Sequence, residues 1–259
     1  MAVDLAFDDE FCVITLNRPE ALNALNADVI TKLGEAFETA AASDARCVII
    51  TGAGDKAFCA GADIKELTAN STLQHKQMLQ RGQRTLSRLA DLPIPSIAAI
   101  NGYAFGGGLE TALACTFRLA TPNAKVGLPE VKLGMVPGYG GTQRLPRIVG
   151  ETRALEIIMS GRTVGAEEAL DIGLVSQIVE DDVPGGIVEG AKAFARNFTG
   201  YGLPILKMLR DAVMRAGDLP LHEGLAAEAD LGALSFATED GKEGIAAFVE
   251  KRAAVIKDC

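Results

Sequence analysis

Apolar runs alternate with amphipathic stretches along the first half of the chain. Apolar residues recur every three or four positions over residues 27–42, where Asn26 precedes the run as an N-cap, and residues 71–90 are polar and helix-like. Both stretches are therefore predicted to be helices. Short apolar runs bounded by turn residues predict five strands, namely Phe11–Leu16, residues 47–51, Ser96–Ile100, Phe117–Ala120 and Lys125–Gly127.

Helical patterns dominate the second half, from Thr142 onward, with breaks near Gly161, Gly173, residues 185–186 and Gly217. Strands and helices that alternate early and helices that dominate later predict an α/β fold with a helical C-terminal portion. The expected organisation is a core over residues 1–195 followed by a helical region over residues 196–259.

Charge and cysteine content narrow the function classes. The net charge of −9 argues against a nucleic-acid binder, which would need excess positive charge. The five cysteines are odd in number and contain no C-x-x-C pair, so reduced thiols in a cytoplasmic protein are expected. The acidic N-terminus resembles no targeting segment, and no apolar stretch is long enough to cross a membrane. His75 and His222 are the only histidines, so neither a histidine triad nor a metal site is expected.

Residues 52–63 form the first of three glycine-rich segments. Gly52, Gly54 and Ala57 half-match the G-x-G-x-x-A dinucleotide fingerprint, which makes nicotinamide binding a rival hypothesis. That fingerprint requires a helix to open within the loop, whereas the sequence continues into a second turn at Gly61. The glycines of this segment are equally consistent with tight turns alone.

The second segment places three glycines, residues 106–108, directly before an apolar helix that carries Glu110. Unpaired amides at a helix N-terminus could stabilise a developing oxyanion. Glu110 could be catalytic, or it could only complement the helix dipole.

The third segment contains Glu130, which lies between Pro129 and Val131 and precedes a glycine-rich loop over residues 134–141. A second carboxylate near Glu110 would provide one acid and one base. Glu130 could also be a solvated loop residue, and the residues alone do not decide.

Four motifs resemble the crotonase (enoyl-CoA hydratase/isomerase) superfamily in order and spacing. They are residues 58–67 (FCAGADIKEL), 100–110 (INGYAFGGGLE), 127–144 with GLPE and GMVPGYGGTQR, and 236–252 (FATEDGKEGIAAFVEKR). The resemblance covers nearly the whole chain. It implies the crotonase (ClpP/crotonase-like) fold, a spiral of ββα units followed by a C-terminal helical trimerisation region. It also implies an acyl-CoA site in the core and a homotrimer or a hexamer built as a dimer of trimers.

The resemblance also implies the site residues. Glu110 and Glu130 match the two catalytic glutamates, the amides of Ala62 and Gly107 match the oxyanion hole, and Gly138 matches a glycine that positions the water. The expected substrate and coenzyme A contacts are Ala60, Asp63, Ile64, Lys65, Leu67, Tyr139, Phe248 and Lys251, although Asp63 also looks structural and Tyr139 could simply pack its loop.

The implied reaction is reversible syn addition of water to a trans-2-enoyl-CoA, with the coenzyme A thioester as substrate and no separate cofactor. Two carboxylates favour a hydratase over family members that isomerise or cleave. An isomerase, a dehydratase of a dedicated pathway, and a non-catalytic RNA- or coenzyme A-binding protein remain as alternatives. Acyl chain length is left undetermined.

Overall fold

Two parallel-rich sheets form the core of the first of two compact units, Met1–Phe194. The computed structural model describes residues 1–68, 71–180 and 182–259, and the side chains of Lys65 and Leu67 lie outside the description. The strands are β1 (Val3–Asp8), β2 (Phe11–Leu16), β3 (Cys47–Gly52), β4 (Ala57–Cys59), β5 (Ser96–Ile100), β6 (Tyr103–Phe105), β7 (Phe117–Ala120), β8 (Lys125–Gly127), β9 (Val164–Gly165) and β10 (Gln177–Ile178).

The larger sheet has the order β1-β2-β3-β5-β7-β10 and the smaller has the order β4-β6-β8-β9. The strand pairs β3/β4, β5/β6 and β7/β8 each send their first strand to the larger sheet and their second to the smaller. Neighbouring strands are parallel, except for the β1/β2 and β8/β9 pairs. This alternation is the ββα spiral that the resemblance implied, and the fold prediction is confirmed.

Buried β-branched and aliphatic residues explain the larger sheet. All residues of β3 and β5 are buried, as expected for central strands covered on both faces. Helices of the first unit are α1 (Ala27–Ala41), α2 (Ile64–Leu67), α3 (Thr72–Asp91), α4 (Gly107–Ala114), α5 (Gly141–Val149), α6 (Glu151–Ser160), α7 (Ala166–Asp171) and α8 (Gly186–Ala195), the last of which ends one residue beyond the boundary.

Cap residues set the starts of the two long helices. The side chain of Asn26 accepts a hydrogen bond from the amide of Val29 at 2.8 Å, which confirms the predicted N-cap of α1. Ser71 and Gln74 form a capping box at the start of α3. Both helices begin within a residue of their predicted positions.

The prediction missed β1, β4, β6, β9 and β10. β4 and β6 have three residues each, and β9 and β10 have two each. Strands of this length carry no periodicity of their own and are held by tertiary pairing. β1 is half exposed, and its mixed sequence lacks the apolar run on which the other strands were recognised. The prediction of a glycine loop over residues 52–63 is therefore wrong at β4.

The second unit, Ala195–Cys259, is helical. It contains α9 (Leu203–Arg215), α10 (Leu221–Ala237) and α11 (Glu239–Glu250). Asp240 is buried and its carboxylate accepts amide hydrogen bonds from Lys257 and Asp258 at 2.7 and 2.9 Å, so the C-terminal segment is fastened to the start of α11. Within the described ranges, no helix combines the length and apolar character needed to cross a membrane.

Candidate active site

The turn after β4 brings the backbone of Ala62 to the edge of a cavity. Gly61 has φ +114°, a left-handed value that favours glycine, and a Cβ there would lie 3.1 Å from the carbonyl oxygen of Phe105. The amides of Leu25 and Asp63 pair this turn with the segment before α1. In such a parallel bridge the N–H of Ala62 takes no part, so that amide is available to a ligand.

The amide of Gly107 belongs to the first turn of α4. The first hydrogen bond of this helix runs from the amide of Glu110 to the carbonyl of Gly106, so the amides between them have no partner within the helix. A Cβ at Gly108 would lie 2.0 Å from the carbonyl oxygen of Cys59. Glycine at this position therefore lets α4 approach β4 closely, which brings Gly107 and Ala62 to one cavity.

Glu110 is held by the backbone of the loop before α5. Its Oε1 accepts hydrogen bonds from the amides of Tyr139 and Gly141, both at 2.7 Å, and its side chain is only 2% exposed. Burial raises the pKa of Glu110 to about 7, and the charge of Glu130 adds to the rise. The two amides and the charge of Arg144 act in the opposite direction. Glu110 therefore titrates near neutral pH.

Glu130 follows β8 on a short 3-10 helix, Pro129–Leu133. Burial also raises its pKa. Within the described residues, its Oε2 is buried and has no hydrogen-bond partner, which costs free energy unless a ligand or water supplies one. A Cβ at Gly106 would lie 2.9 Å from its Oε1, so the glycine segment before α4 leaves room for this carboxylate.

The two carboxylates and the two backbone positions share one cavity of about 150 Å³, here called the reaction cavity. Its lining includes Ala62, Gly107, Glu110, Glu130, Gly138 and Tyr139, together with Ala60 and Ile64. The structure thus brings together eight of the predicted site residues. Burial is the main cause of the raised pKa of Glu110, and the negative charge of Glu130 adds to that rise.

Two residues that the sequence analysis did not single out hold the loop beside Glu110. Arg144 Nη1 donates to the carbonyl oxygen of Tyr139 at 2.8 Å, and Gln83 Nε2 donates to that of Gly138 at 2.8 Å. Arg144 lies within a quoted motif, but nothing in the local pattern indicated its contact. Gln83 comes from α3, which is distant in sequence, so its contact depends on the tertiary fold.

Tyr139 packs its ring against glycine. A Cβ at Gly82 would lie 2.3 Å from the Tyr139 ring, so the absence of a side chain on α3 makes room for that ring. The other ring edge faces Gly107, whose Cβ would lie 3.4 Å away. Burial, with the charges of Glu110 and Glu66, raises the pKa of Tyr139 to about 12. Tyr139 therefore both lines the cavity and packs its loop.

The remaining predicted residues lie elsewhere or outside the description. The carboxylate of Asp63 forms a salt bridge with Arg18 at 3.0 Å, which gives this residue a structural contact. The side chains of Lys65 and Leu67 are outside the described residues. Phe248 and Lys251 belong to the second unit, where Phe248 is exposed on α11 and Lys251 ends that helix with φ 56°.

The structure bears on the rival hypothesis of dinucleotide binding. The dinucleotide fingerprint fails because residues 57–59 form β4 where the cofactor would need the start of a helix. The five cysteines are free thiols, and four of them are buried. In the described part of the chain, no group of three or more His, Cys, Asp or Glu side chains is arranged to hold a metal ion.

A cavity in which a buried and a half-buried carboxylate lie beside the amide end of a helix has the architecture of an acid–base active site. Residues 7–258 match the family model described as enoyl-CoA hydratase/isomerase, and the chain belongs to this family. The crotonase resemblance is thereby confirmed.

Named relatives agree with the family assignment. The chain is 40% identical over 251 residues to a short-chain-enoyl-CoA hydratase of Clostridium acetobutylicum, covering 96% of this chain and 95% of that protein. It is 39% identical over 249 residues to a crotonyl-CoA hydratase of Syntrophomonas wolfei, covering 95% and 94%. A crystal structure of an enoyl-CoA hydratase from Bacillus anthracis superposes with a TM-score of 0.93 at 36% identity, with full coverage of both chains.

Proposed function

We propose that this protein is an enoyl-CoA hydratase, which adds water reversibly to the double bond of a 2-enoyl-CoA to give a 3-hydroxyacyl-CoA. The observation that carries the proposal is that the buried Glu110 and the half-buried Glu130 line one cavity together with Ala62 and Gly107. The hydratase names of relatives that match almost the full chain support the same reaction.

The thioester oxygen would accept hydrogen bonds from the amides of Ala62 and Gly107. Negative charge accumulates on that oxygen as water attacks C3, so the two bonds strengthen in the transition state. Loss of one such donor costs on the order of 3 kcal/mol in comparable sites. Substitution of a side chain leaves both backbone donors in place, so this part of the site depends on the fold of α4 and β4.

Glu110 is suited to be the base. The amides of Tyr139 and Gly141 hold its Oε1 and favour the ionised form, so Oε2 can take a proton from the attacking water. Glu130 is suited to be the acid, because burial raises its pKa and its Oε2 lacks a described partner. One proton passes from water to Glu110 and another from Glu130 to C2, and dehydration reverses both transfers.

Coenzyme A contacts beyond the thioester are part of the proposal. Ala60 and Ile64 line the reaction cavity, and Asp63 braces the adjoining turn through its salt bridge with Arg18. Motif position alone supports the remaining assignments. They are coenzyme A and acyl binding by Lys65, Leu67, Phe248 and Lys251, and placement of the water by Gly138.

The assembly and setting of the enzyme follow from simple physical arguments. Hydration transfers protons and involves no oxidation, so the reaction needs no redox cofactor. Helices of the second unit expose many large apolar side chains, among them Leu209, Val213, Leu225 and Phe236, as an oligomer interface would. These side chains support subunit contacts, and the family resemblance implies a homotrimer or a dimer of trimers, with 196–259 as the trimerisation region of a 1–195 core. A cytoplasmic location is part of the proposal and is consistent with five free thiols.

The test is loss of the ultraviolet absorbance of crotonyl-CoA when the protein is added. Glu110→Gln and Glu130→Gln should each lower kcat about 10²- to 10⁴-fold, the usual contribution of a general acid or base. Glu151→Gln, an exposed glutamate at the start of α6, should leave the rate unchanged. A near-normal rate in either active-site variant would remove that residue from the mechanism, and an inert wild type would refute the proposed reaction.

A further inference from the structure

A larger cavity of about 470 Å³ adjoins the reaction cavity, and it is here called the distal cavity. Ala62, Met78 and Tyr139 line both cavities, so the ring of Tyr139 stands at their junction. The apolar residues Leu25 and Ile30 also line the distal cavity. Helix α3 contributes the polar residues Gln74, Gln77 and Arg81 in addition to Met78.

The charged side chains of the distal cavity differ in the hydrogen-bond partners that they have. The carboxylate of Asp63 is paired with Arg18, and that of Glu66 accepts the amide of Ala27 at 3.0 Å at the start of α1. Arg81 is different, because its Nη2 donates to the hydroxyl of Thr31, which is a neutral partner. A guanidinium carries five donors in a planar fork, so Arg81 retains capacity for an anionic ligand.

An acyl group bound for the proposed hydration must have its thioester oxygen at Ala62 and its C2 and C3 beside Glu110 and Glu130. The distal cavity contains Ala62 but neither glutamate. Met78 and Tyr139 line both cavities, so an acyl chain that continues beyond C3 can pass these two residues and place its far end in the distal cavity. Gln74, Gln77 and Arg81 are exposed, so an apolar chain end beside them would displace part of their hydration and accept no hydrogen bond in return, which is unfavourable.

We propose that the distal cavity binds the far end of the acyl group and that Arg81 selects a chain ending in a carboxylate, so that enoyl-CoA thioesters of dicarboxylic acids are substrates. The inference rests on the proposed hydratase function and specifies its substrate class. A carboxylate would accept two parallel hydrogen bonds from Arg81, whereas a methyl end would accept none. Arg81 is a specificity-determining residue and takes no part in proton transfer.

The experiment compares 2-enoyl-CoA thioesters of five to eight carbons that end in a carboxylate with those of equal length that end in a methyl group. Arg81→Met should lower kcat/KM about 10- to 100-fold for the best carboxylate-ended substrate, the usual effect of losing a hydrogen bond to a charged group. Methyl-ended substrates and crotonyl-CoA should be turned over as by the wild type. Arg84→Met, on the same helix but outside the cavity lining, is the matched control.

Two results would overturn the assignment. An equal fall for both series would mean that Arg81 serves the coenzyme A portion or the fold, and no selective fall at any length would mean that it contacts no chain end. Calorimetric binding of the saturated glutaryl- and valeryl-CoA thioesters to wild type and Arg81→Met provides a readout that does not need turnover. If the wild type does not hydrate crotonyl-CoA, the proposed reaction itself is refuted. If it hydrates crotonyl-CoA but Arg81→Met affects both substrate series alike, only the role of Arg81 is refuted.

Discussion

Glu110 shows how a single buried side chain combines activity with a cost in stability. A carboxylate that is 2% exposed loses the hydration it has in the unfolded chain, and two amide hydrogen bonds replace it only in part. Its pKa consequently rises from 4.5 to about 7. The sequence could place Glu110 in the first turn of a helix, but it could not decide between catalysis and dipole compensation, because its partners come from residues 139 and 141.

Replacing Glu110 with glutamine should stabilise the protein above neutral pH. A folded-state pKa above the unfolded value contributes stability below pH 4.5, and this contribution is lost between pH 4.5 and about 7 as the carboxyl ionises. Glu110→Gln should therefore raise the free energy of unfolding by up to about 3 kcal/mol at pH 8, with little gain near pH 4.5. Chemical denaturation across this range is the measurement. A gain that is constant with pH would contradict the buried-charge explanation.

Arg144 should set the pH at which Glu110 ionises. Its positive charge lowers the pKa of Glu110, and its Nη1 also holds the carbonyl oxygen of Tyr139. Arg144→Met should move the acid limb of the pH profile of kcat/KM for hydration to higher pH, because Glu110 then stays protonated up to a higher pH. Arg147→Met, about one helical turn further along α5, is the control. If the rate falls but the acid limb of the pH profile does not move, the role of Arg144 is purely structural.

Helices and strands with a local sequence pattern were predicted well, and those that depend on tertiary contacts were not. The cap at Asn26 and the apolar runs of β2, β3 and β5 are local, so α1 and these strands appear where expected. In the smaller sheet only β8 was predicted, whereas β4, β6 and β9 are two or three residues long and form because the chain spirals past earlier strands. The contact of α3 with the loop before α5 likewise has no local signature, so Gln83 was missed.

The contact between α4 and β4 should tolerate no added side chain. Gly108→Ala would direct a Cβ to 2.0 Å from a backbone carbonyl oxygen, so α4 must shift and carry Gly107 and Glu110 with it. We expect a loss of about 1–3 kcal/mol in stability, or more, and a large fall in kcat. Gly165→Ala is the control, since φ is −80° there and no atom lies within 4 Å of the added Cβ. Wild-type activity in Gly108→Ala would contradict the packing account.

At the scale of the molecule, the resemblance predicted the spiral core from four motifs, but the chain's own patterns indicated only an α/β fold. The second unit illustrates the limit. Its helices were expected from periodicity, yet α9 and α10 contain no buried residue in the isolated chain. Their apolar side chains are explained only by partners that a single sequence does not reveal.

Light scattering after size exclusion tests the oligomer directly. We expect three or six times the mass of one chain, because exposed apolar side chains on α9 and α10 gain from burial between subunits. Leu209→Glu combined with Val213→Glu should produce smaller species, whereas Thr39→Glu on the exposed face of α1 should not. A wild-type monomer at micromolar concentration would contradict the trimerisation role of the second unit.

The most direct test of the central claim is a crystal structure with butyryl-CoA, a saturated thioester that cannot be hydrated. The account predicts the thioester oxygen about 3 Å from the amide nitrogens of both Ala62 and Gly107. It also predicts C2 and C3 next to the carboxylates of Glu110 and Glu130. A thioester oxygen bound away from these amides, or an acyl chain that avoids the space between the two glutamates, would contradict it.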